Sequence, residues 1–373
     1  MPSCSDSAAG RVPGRRAAAR LLVLLTLVLG ATAAVPAAAP AAVPRDFFGV
    51  TVPLVGTDPV SVQSMKNLKG AKVGTARVQM YWAMVENTKG AAYDWSYYDD
   101  LVGRAADAGM RVLPVLEGTP NWFASTTHYP PMSSEGRAAF AKFVTAAVNR
   151  YGRDGEFWKQ RGDLPRREVA AWQVWNEPNL AYWWNEKPNA RQYLTLLRTV
   201  SKAIRAGDAQ ADVVLGGLPE THGIPMNKYL DQLYRVSKTT KQLFDVIAIH
   251  PYARGWAGVE GALYRVREVT RRYKDDKTPI MVTEVGWATG GGKDLDFQVT
   301  SPAGQASRLK STFGNLVKTR KKWNVSGVVW YALHDFAPFD WWIYNCGLFD
   351  KDGKAKPAWQ EFRRFTRATV ATR

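Results

Sequence analysis

Apolar positions along this chain fall into two rhythms. Short, nearly continuous apolar runs recur at Phe47–Val52, Val73–Met80, Arg111–Glu117, Ala171–Trp175, Asp212–Leu218, Phe244–Tyr252, Pro279–Trp287 and Val325–Leu333. Runs without in-and-out alternation read as strands buried on both faces, the pattern of a parallel sheet covered by helices. Stretches of helical spacing lie between them: Pro59–Leu68, Ser96 to about Gly109, Ser134–Tyr151, Ala190–Ala206, Met226–Lys238, Gly258–Asp275, Ala303–Lys321 and Pro357–Thr369. Their ends carry the expected signals, among them the capping-box-like Ser96-Tyr97-Tyr98-Asp99 and the helix-stopping Gly152. Strand and helix alternate eight times, which predicts an α/β protein with the architecture of a (β/α)8 TIM barrel.

The first 42 residues stand apart from that pattern. Arg11, Arg15, Arg16 and Arg20 precede an apolar run from Leu21 to Leu29, and small residues including Ala31-Thr32-Ala33 follow. This is the layout of a secretory signal peptide, and the run is too short to span a bilayer. An Ala/Pro-rich leader, Pro36 to Pro44, comes next. The expected organisation is therefore a signal peptide and leader over 1–42 and one barrel domain over 43–373, with a secreted mature protein. No Ser/Thr/Pro tract, charge block or repeat divides the remainder into modules.

Composition narrows the function classes. The cysteines are Cys4 and Cys346, so the mature chain would hold one thiol, no disulfide, and a cysteine best read as a small buried apolar residue. The net charge is +17, and loss of residues 1–42 would remove +3 and leave +14. That balance suits a solvated arginine-rich surface or attraction to anionic polysaccharide or cell wall. The basic residues are scattered and no nucleic-acid-binding motif is present, which argues against nucleic acid. The four histidines (128, 222, 250, 334) are dispersed with no H-E-x-x-H, so neither a metal nor another cofactor is expected. G-x-S-x-G is absent, which argues against a serine hydrolase.

The chemistry concentrates at two strand ends. Ala171-Trp172-Gln173-Val174-Trp175-Asn176-Glu177-Pro178-Asn179 runs from a buried strand into a proline that cannot join a sheet ladder, leaving Glu177 at the strand's carboxyl end. Pro279-Ile280-Met281-Val282-Thr283-Glu284-Val285-Gly286-Trp287 places Glu284 the same way. A carboxylate in such a place is costly without partners or a task. Two of them are what glycoside hydrolysis uses, one as general acid and one as nucleophile or base. Arg77, in the middle of the second strand, needs a carboxylate partner inside the barrel. Glu86 and Glu117 are spare carboxylates near strand ends, read as structural or substrate-binding. Of fifteen tryptophans, Trp82, Trp122, Trp183, Trp184, Trp287, Trp341 and Trp342 fall on carboxyl-end loops, where aromatic faces could stack on sugar rings.

These motifs resemble the retaining glycoside hydrolases of clan A, the barrel superfamily that includes families 5 and 39. The specific parts are Trp175-Asn176-Glu177-Pro178-Asn179, His250-Pro251-Tyr252 and Thr283-Glu284-Val285-Gly286-Trp287. The resemblance implies Glu177 as acid/base and Glu284 as nucleophile on a carbohydrate substrate. It implies Asn176 as a partner of the sugar 2-hydroxyl, and Arg77 and Tyr252 as supports of Glu284. It further implies His250 and Trp330 as lining of the sugar-binding floor, with Trp122, Trp183 and Trp287 as candidate platforms. The chain departs from family 5 where Glu117-Gly118-Thr119-Pro120 stands in place of a strand-end histidine, which favours a family-39-like branch. A non-catalytic carbohydrate-binding barrel and a transglycosylase remain the alternatives.

Overall fold

The computed structural model describes residues 43–52, 59–185, 187–292, 296–336 and 341–370. The expected signal peptide and leader up to residue 42, and Lys293 of the glycine-rich loop, lie outside the described residues. The strands are β1 (Phe48–Thr51), β2 (Thr75–Tyr81), β3 (Arg111–Glu117), β4 (Ala171–Val174), β5 (Asp212–Val214), β6 (Leu218–Pro219), β7 (Ile247–His250), β8 (Ile280–Val285) and β9 (Val325–Trp330). Every pairing between them is parallel, in the order β5-β4-β3-β2-β1-β9-β8-β7-β6. The helices are α1 (Pro59–Ala71), α2 (Trp82–Val85), α3 (Ser96–Asp107), α4 (Ser134–Tyr151), α5 (Glu156–Gln160), α6 (Ala190–Gly207), α7 (Met226–Val236), α8 (Trp256–Arg272), α9 (Pro302–Trp323) and α10 (Pro357–Arg367). This is the (β/α)8 barrel that the alternation predicts.

One strand differs from expectation. The run Asp212–Leu218 is not continuous: it breaks after Val214 and resumes at Leu218 as β6. Bridges on either side of the break, Val214 with Val246 and Asn176 with Gly217, let β5 and β6 serve together as one interrupted strand that closes the sheet. The cause is crowding. A Cβ on Gly216 would lie 2.9 Å from Cδ of Pro178, and a Cβ on Gly217 would lie 2.0 Å from Nε2 of His250. Backbone groups freed at the break still find partners. The Tyr193 hydroxyl accepts from the Gly216 amide at 2.7 Å and donates to the Val174 carbonyl at 3.0 Å, while Gln173 Nε2 reaches the Leu215 carbonyl at 3.3 Å.

Residues in register across the barrel sort by face. On the outer face Phe48 stacks on Phe313 of α9 at 5.4 Å, and Trp330, two residues beyond Val328, the register-mate of Phe48, leans on the same ring at 6.3 Å. On the inner face the lower layer is apolar, with Leu113, Val214, Val246 and Ala248 packed beside Ala171 and Met281. One layer up, toward the strand ends, the interior turns polar with Arg77 and Gln173. Ser133 caps α4 by accepting from the Gly136 amide and Ser301 caps α9 by accepting from the Gly304 amide, whereas the capping box expected at Ser96 does not form: α3 starts after Trp95 with no side-chain cap.

The crowding at the broken strand predicts the outcome of filling it. Gly217→Ala should cost roughly 1–3 kcal/mol, because the His250 ring has nowhere to retreat. Chemical denaturation measures this, and an unchanged midpoint would show that the ring is not held there.

Candidate active site

The polar layer is built around Arg77. Its guanidinium is fully buried and makes three side-chain bonds: Nε to Gln173 Oε1 at 2.9 Å, Nη1 to Glu284 Oε1 at 2.7 Å and Nη2 to Asn176 Oδ1 at 2.9 Å. The carboxylate that its mid-strand position demanded is Glu284. The bond to Asn176 also fixes which way that amide faces.

Glu284 reaches the interior through an irregularity in β8. Val282 pairs with Val328 and Val285 with Trp330, so three steps on β8 match two on β9. The extra residue of this bulge lets two consecutive side chains, Thr283 and Glu284, both engage inward groups. Thr283 Oγ1 lies 3.0 Å from His250 Nε2, and Glu284 Oε2 accepts from the Tyr252 hydroxyl at 2.6 Å. Burial alone would push the Glu284 carboxyl up. His250, the Arg77 charge and the bonds from Tyr252 and Arg77 outweigh it and hold the group below its ordinary range.

Glu177 is delivered by a turn rather than by a strand. Trp175 (φ 69°) and Glu177 (φ 43°) both adopt left-handed backbone, which is rare for side chains of this size and marks stored strain at a site. The turn is held by the Trp175 amide on the Leu116 carbonyl (3.1 Å), and its indole turns outward to the Trp183 carbonyl (2.9 Å). Glu177 remains 13% exposed and places Oε1 2.7 Å from His250 Nδ1. His250 therefore touches Glu177 with one ring nitrogen and Thr283 with the other. An oxygen of Glu177, an oxygen of Glu284 and a nitrogen of His250 all lie within 4.8 Å of one another. These three could present ligands to a cation, yet both Glu284 oxygens already accept from Arg77 and Tyr252, and the guanidinium supplies the positive charge. The donor set fits an ionised carboxylate better than a metal centre.

Six of the expected site residues thus converge: Arg77, Asn176, Glu177, His250, Tyr252 and Glu284. The expected tryptophans divide. Trp330 and Trp287 are not brought to the cleft; both are fully buried, 5.9 Å apart, and Trp330 packs outward on Phe313. Strand alternation is the reason, since the register pairs Trp330 with outward Val50. The next residue, Tyr331, is the one that faces Glu284 and Arg77. Trp122 and Trp183 are half-buried, and Trp183 forms a rim cluster with His128 and Tyr182. Trp82 and Trp184 are core residues, and Trp342 packs edge-on against Tyr252 at 5.0 Å. Trp341 is 56% exposed and Tyr182 59%. Gln173 and Thr283 carry no sequence signal beyond their inward parity.

The spare carboxylates also divide. Glu86 accepts from Trp82 Nε1 and from the Gly90 amide, both at 2.7 Å, and is structural. Glu117, at the end of β3, is fully buried, and neither of its oxygens has a hydrogen-bond partner among the described residues. Burial pushes its carboxyl up to about 8, with Glu284 and Glu177 adding to the rise and Arg77 opposing it. Cys346 is buried, and burial raises its thiol well above the ordinary range.

No protein-family model matches the chain, and no curated protein matches it in sequence. Solved structures do match in fold. A family 39 glycoside hydrolase from Bacteroides cellulosilyticus WH2 superposes with a TM-score of 0.65 at 20% identity, over 87% of this chain and 64% of that one. A monomeric β-xylosidase from Caulobacter crescentus CB15 gives 0.62 at 18% identity, over 87% and 69%. A variant of a GH5_18 protein from Streptomyces cattleya, solved in complex with Manβ1-4GlcNAc, gives 0.65 at 17% identity, over 88% and 83%. At these identities the likeness is one of fold, and the chain spans less than two thirds of the family 39 enzyme.

Glu117 makes stability depend on pH. Its carboxyl ionises near 4.5 when free and near 8 when folded, so between those values the folded protein holds the extra proton. Its contribution is complete below the lower value and is lost as pH rises through the upper one, on the order of a few kcal/mol. Melting temperatures of the native protein should fall from pH 5 to pH 9 more steeply than those of Glu117→Gln. Parallel curves would mean that the buried carboxyl is already ionised.

Proposed function

We propose that this chain is a secreted retaining glycosidase of clan A, acting on a β-linked poly- or oligosaccharide, with Glu284 as nucleophile and Glu177 as acid/base. The observation that carries this reading is the unequal pair of carboxylates within 4.8 Å of each other. Retaining enzymes use carboxyl groups about 5–5.5 Å apart, whereas inverting enzymes need about 6.5–9.5 Å to admit a water. One member is engaged by Arg77 and Tyr252 and kept ionised; the other pairs only with His250 among the described residues and stands at the more exposed position. The β-xylosidase and the disaccharide-bound neighbour support a β-linked glycan as substrate.

In the first step a Glu284 oxygen attacks the anomeric carbon while Glu177 gives its proton to the departing glycosidic oxygen. This leaves a glycosyl ester on Glu284 and a free alcohol. In the second step Glu177, now a base, takes a proton from water as that water attacks the same carbon, and the Glu284 carboxylate departs. The Arg77 bond positions Glu284 and limits how basic it becomes. His250 restrains Glu177 through both half-reactions. Asn176, oriented by Arg77, offers its amide to the sugar 2-hydroxyl. Tyr182 and Trp341, the most exposed aromatic residues described, provide stacking faces at the rim. Export follows from the amino-terminal pattern of charge and hydropathy.

Two outcomes test this. Glu284→Gln should abolish turnover of every glycoside, while Glu177→Gln should keep activity on substrates with good leaving groups and lose roughly 10²–10⁴-fold on natural ones. Identical responses of the two variants to leaving-group ability would refute the assignment of roles. Proton NMR during early hydrolysis of a β-glycoside should show the β-anomer first. Prompt α-product would exclude the double displacement.

A further inference from the structure

Beside the catalytic layer, on the far side of Tyr252, lies a cavity of about 220 Å³ walled by the loop Pro251–Arg254, Glu220, the first turns of α8 and Phe297. That is room for roughly seven water molecules at about 30 Å³ each, the scale of one sugar ring with a substituent. Its charge is lopsided. Arg265 is spoken for, its guanidinium gripping Glu220 through both Nε and Nη2. Arg254 is not: it lies over the Phe297 ring at 5.4 Å and, among the described residues, makes no ion pair. Arg308, outside the cavity lining, donates Nη1 to the Phe297 carbonyl at 3.0 Å and likewise has no acidic partner among the described residues. The two guanidiniums repel: desolvation and Arg254 both lower the Arg308 pKa. The one carboxylate lining the cavity is used by Arg265, so among the described residues the positive charge of Arg254 is met by none.

We propose that this cavity is a subsite for an anionic substituent, a carboxylate or sulfate ester, carried by a sugar of the glycan chain. The inference rests on the glycosidase reading and names the class of substrate: an acidic polysaccharide rather than a neutral one. Arg254 supplies the planar fork that matches a carboxylate or sulfate with two parallel bonds. The Phe297 face holds that fork in place, and Arg308, near enough for the two guanidiniums to repel, adds to the local positive charge. Tyr252 joins the two sites, since it walls the cavity and donates its hydroxyl to Glu284. A sugar seated by its anion there is held next to the reacting carboxylate.

Binding separates this proposal from the catalytic one. In the Glu284→Gln protein, ligand-observed NMR would titrate the methyl β-glycosides of glucuronate, galacturonate and 6-sulfoglucose against those of glucose and galactose. A charged hydrogen bond is worth about 1.5–3 kcal/mol, so at least one anionic glycoside should bind roughly 10–100-fold tighter than its neutral counterpart. Whichever anionic glycoside binds tightest identifies the substituent. Adding Arg254→Ala should bring the preference down by at least about tenfold, Arg254→Lys should restore part of it, and Arg308→Ala should weaken it less. Equal binding of charged and neutral glycosides, or a preference that survives Arg254→Ala, would overturn the subsite. If the preference is present and the native protein hydrolyses no glycan at all, the catalytic reading falls and the subsite stands. If hydrolysis proceeds with neutral glycans favoured, the reverse holds.

Discussion

The bond between Arg77 and Glu284 is the interaction on which the site depends. Both side chains are almost wholly out of water, at 1% and 7% exposure, 2.7 Å apart. Taking two ions out of water costs several kcal/mol each, and mutual attraction repays it only when the remaining donors and acceptors are also met. Here they are met one by one. Gln173 and Asn176 take the other guanidinium bonds and Tyr252 takes the other carboxylate oxygen. Four strands therefore contribute to one network, and each contribution is a reason for the barrel to close in this register and no other. The apolar layer beneath keeps water from entering the network from below.

The same network assigns different states to three carboxyl groups. Glu284 has a guanidinium and a phenol and is held as the anion. Glu177 has an imidazole and a strained turn and keeps contact with solvent. Glu117 has no hydrogen-bond partner among the described residues, and burial favours its protonated form. The number and kind of donors available to each group separate them, because the bulk fold treats strand-end carboxylates alike. A single arginine cannot neutralise every carboxylate near it, so the charges around Glu117 raise the cost of ionising it.

Much of this was legible in the sequence. Residues that end a buried run, as Glu177 and Glu284 do, announce themselves because a charge there needs a reason, and Arg77 announces itself for the same reason inside a run. Asn176 stands beside one of those ends, and His250 and Tyr252 were expected because His250-Pro251-Tyr252 resembles a clan A motif. What was hidden depends on geometry that only closure produces. The bulge that turns Glu284 inward needs the register of β9, and the break at Gly216 needs the ring of His250 and the ring of Pro178 to be in place. The resemblance implied Trp330 at the sugar-binding floor, whereas alternation with Val328 along β9 puts it on the helix side, against Phe313. Glu117 looked like any strand-end acid, since nothing local reveals that its partners are engaged elsewhere.

The interrupted fifth strand gives the ring of the barrel a seam. Elsewhere neighbouring strands share a ladder of several rungs, but at this point single bridges and borrowed side chains do the closing. Glu177 stands on the loop beside that seam, whereas Glu284 stands on β8, laced to a strand on either side. The two carboxylates are thus mounted with unequal stiffness. In the proposed reaction a nucleophile at Glu284 gains from the rigid mount, and a proton donor and acceptor at Glu177, which meets first an alcohol and then a smaller water, gains from a looser one. The barrel supplies both from one sheet by leaving it unfinished on one side.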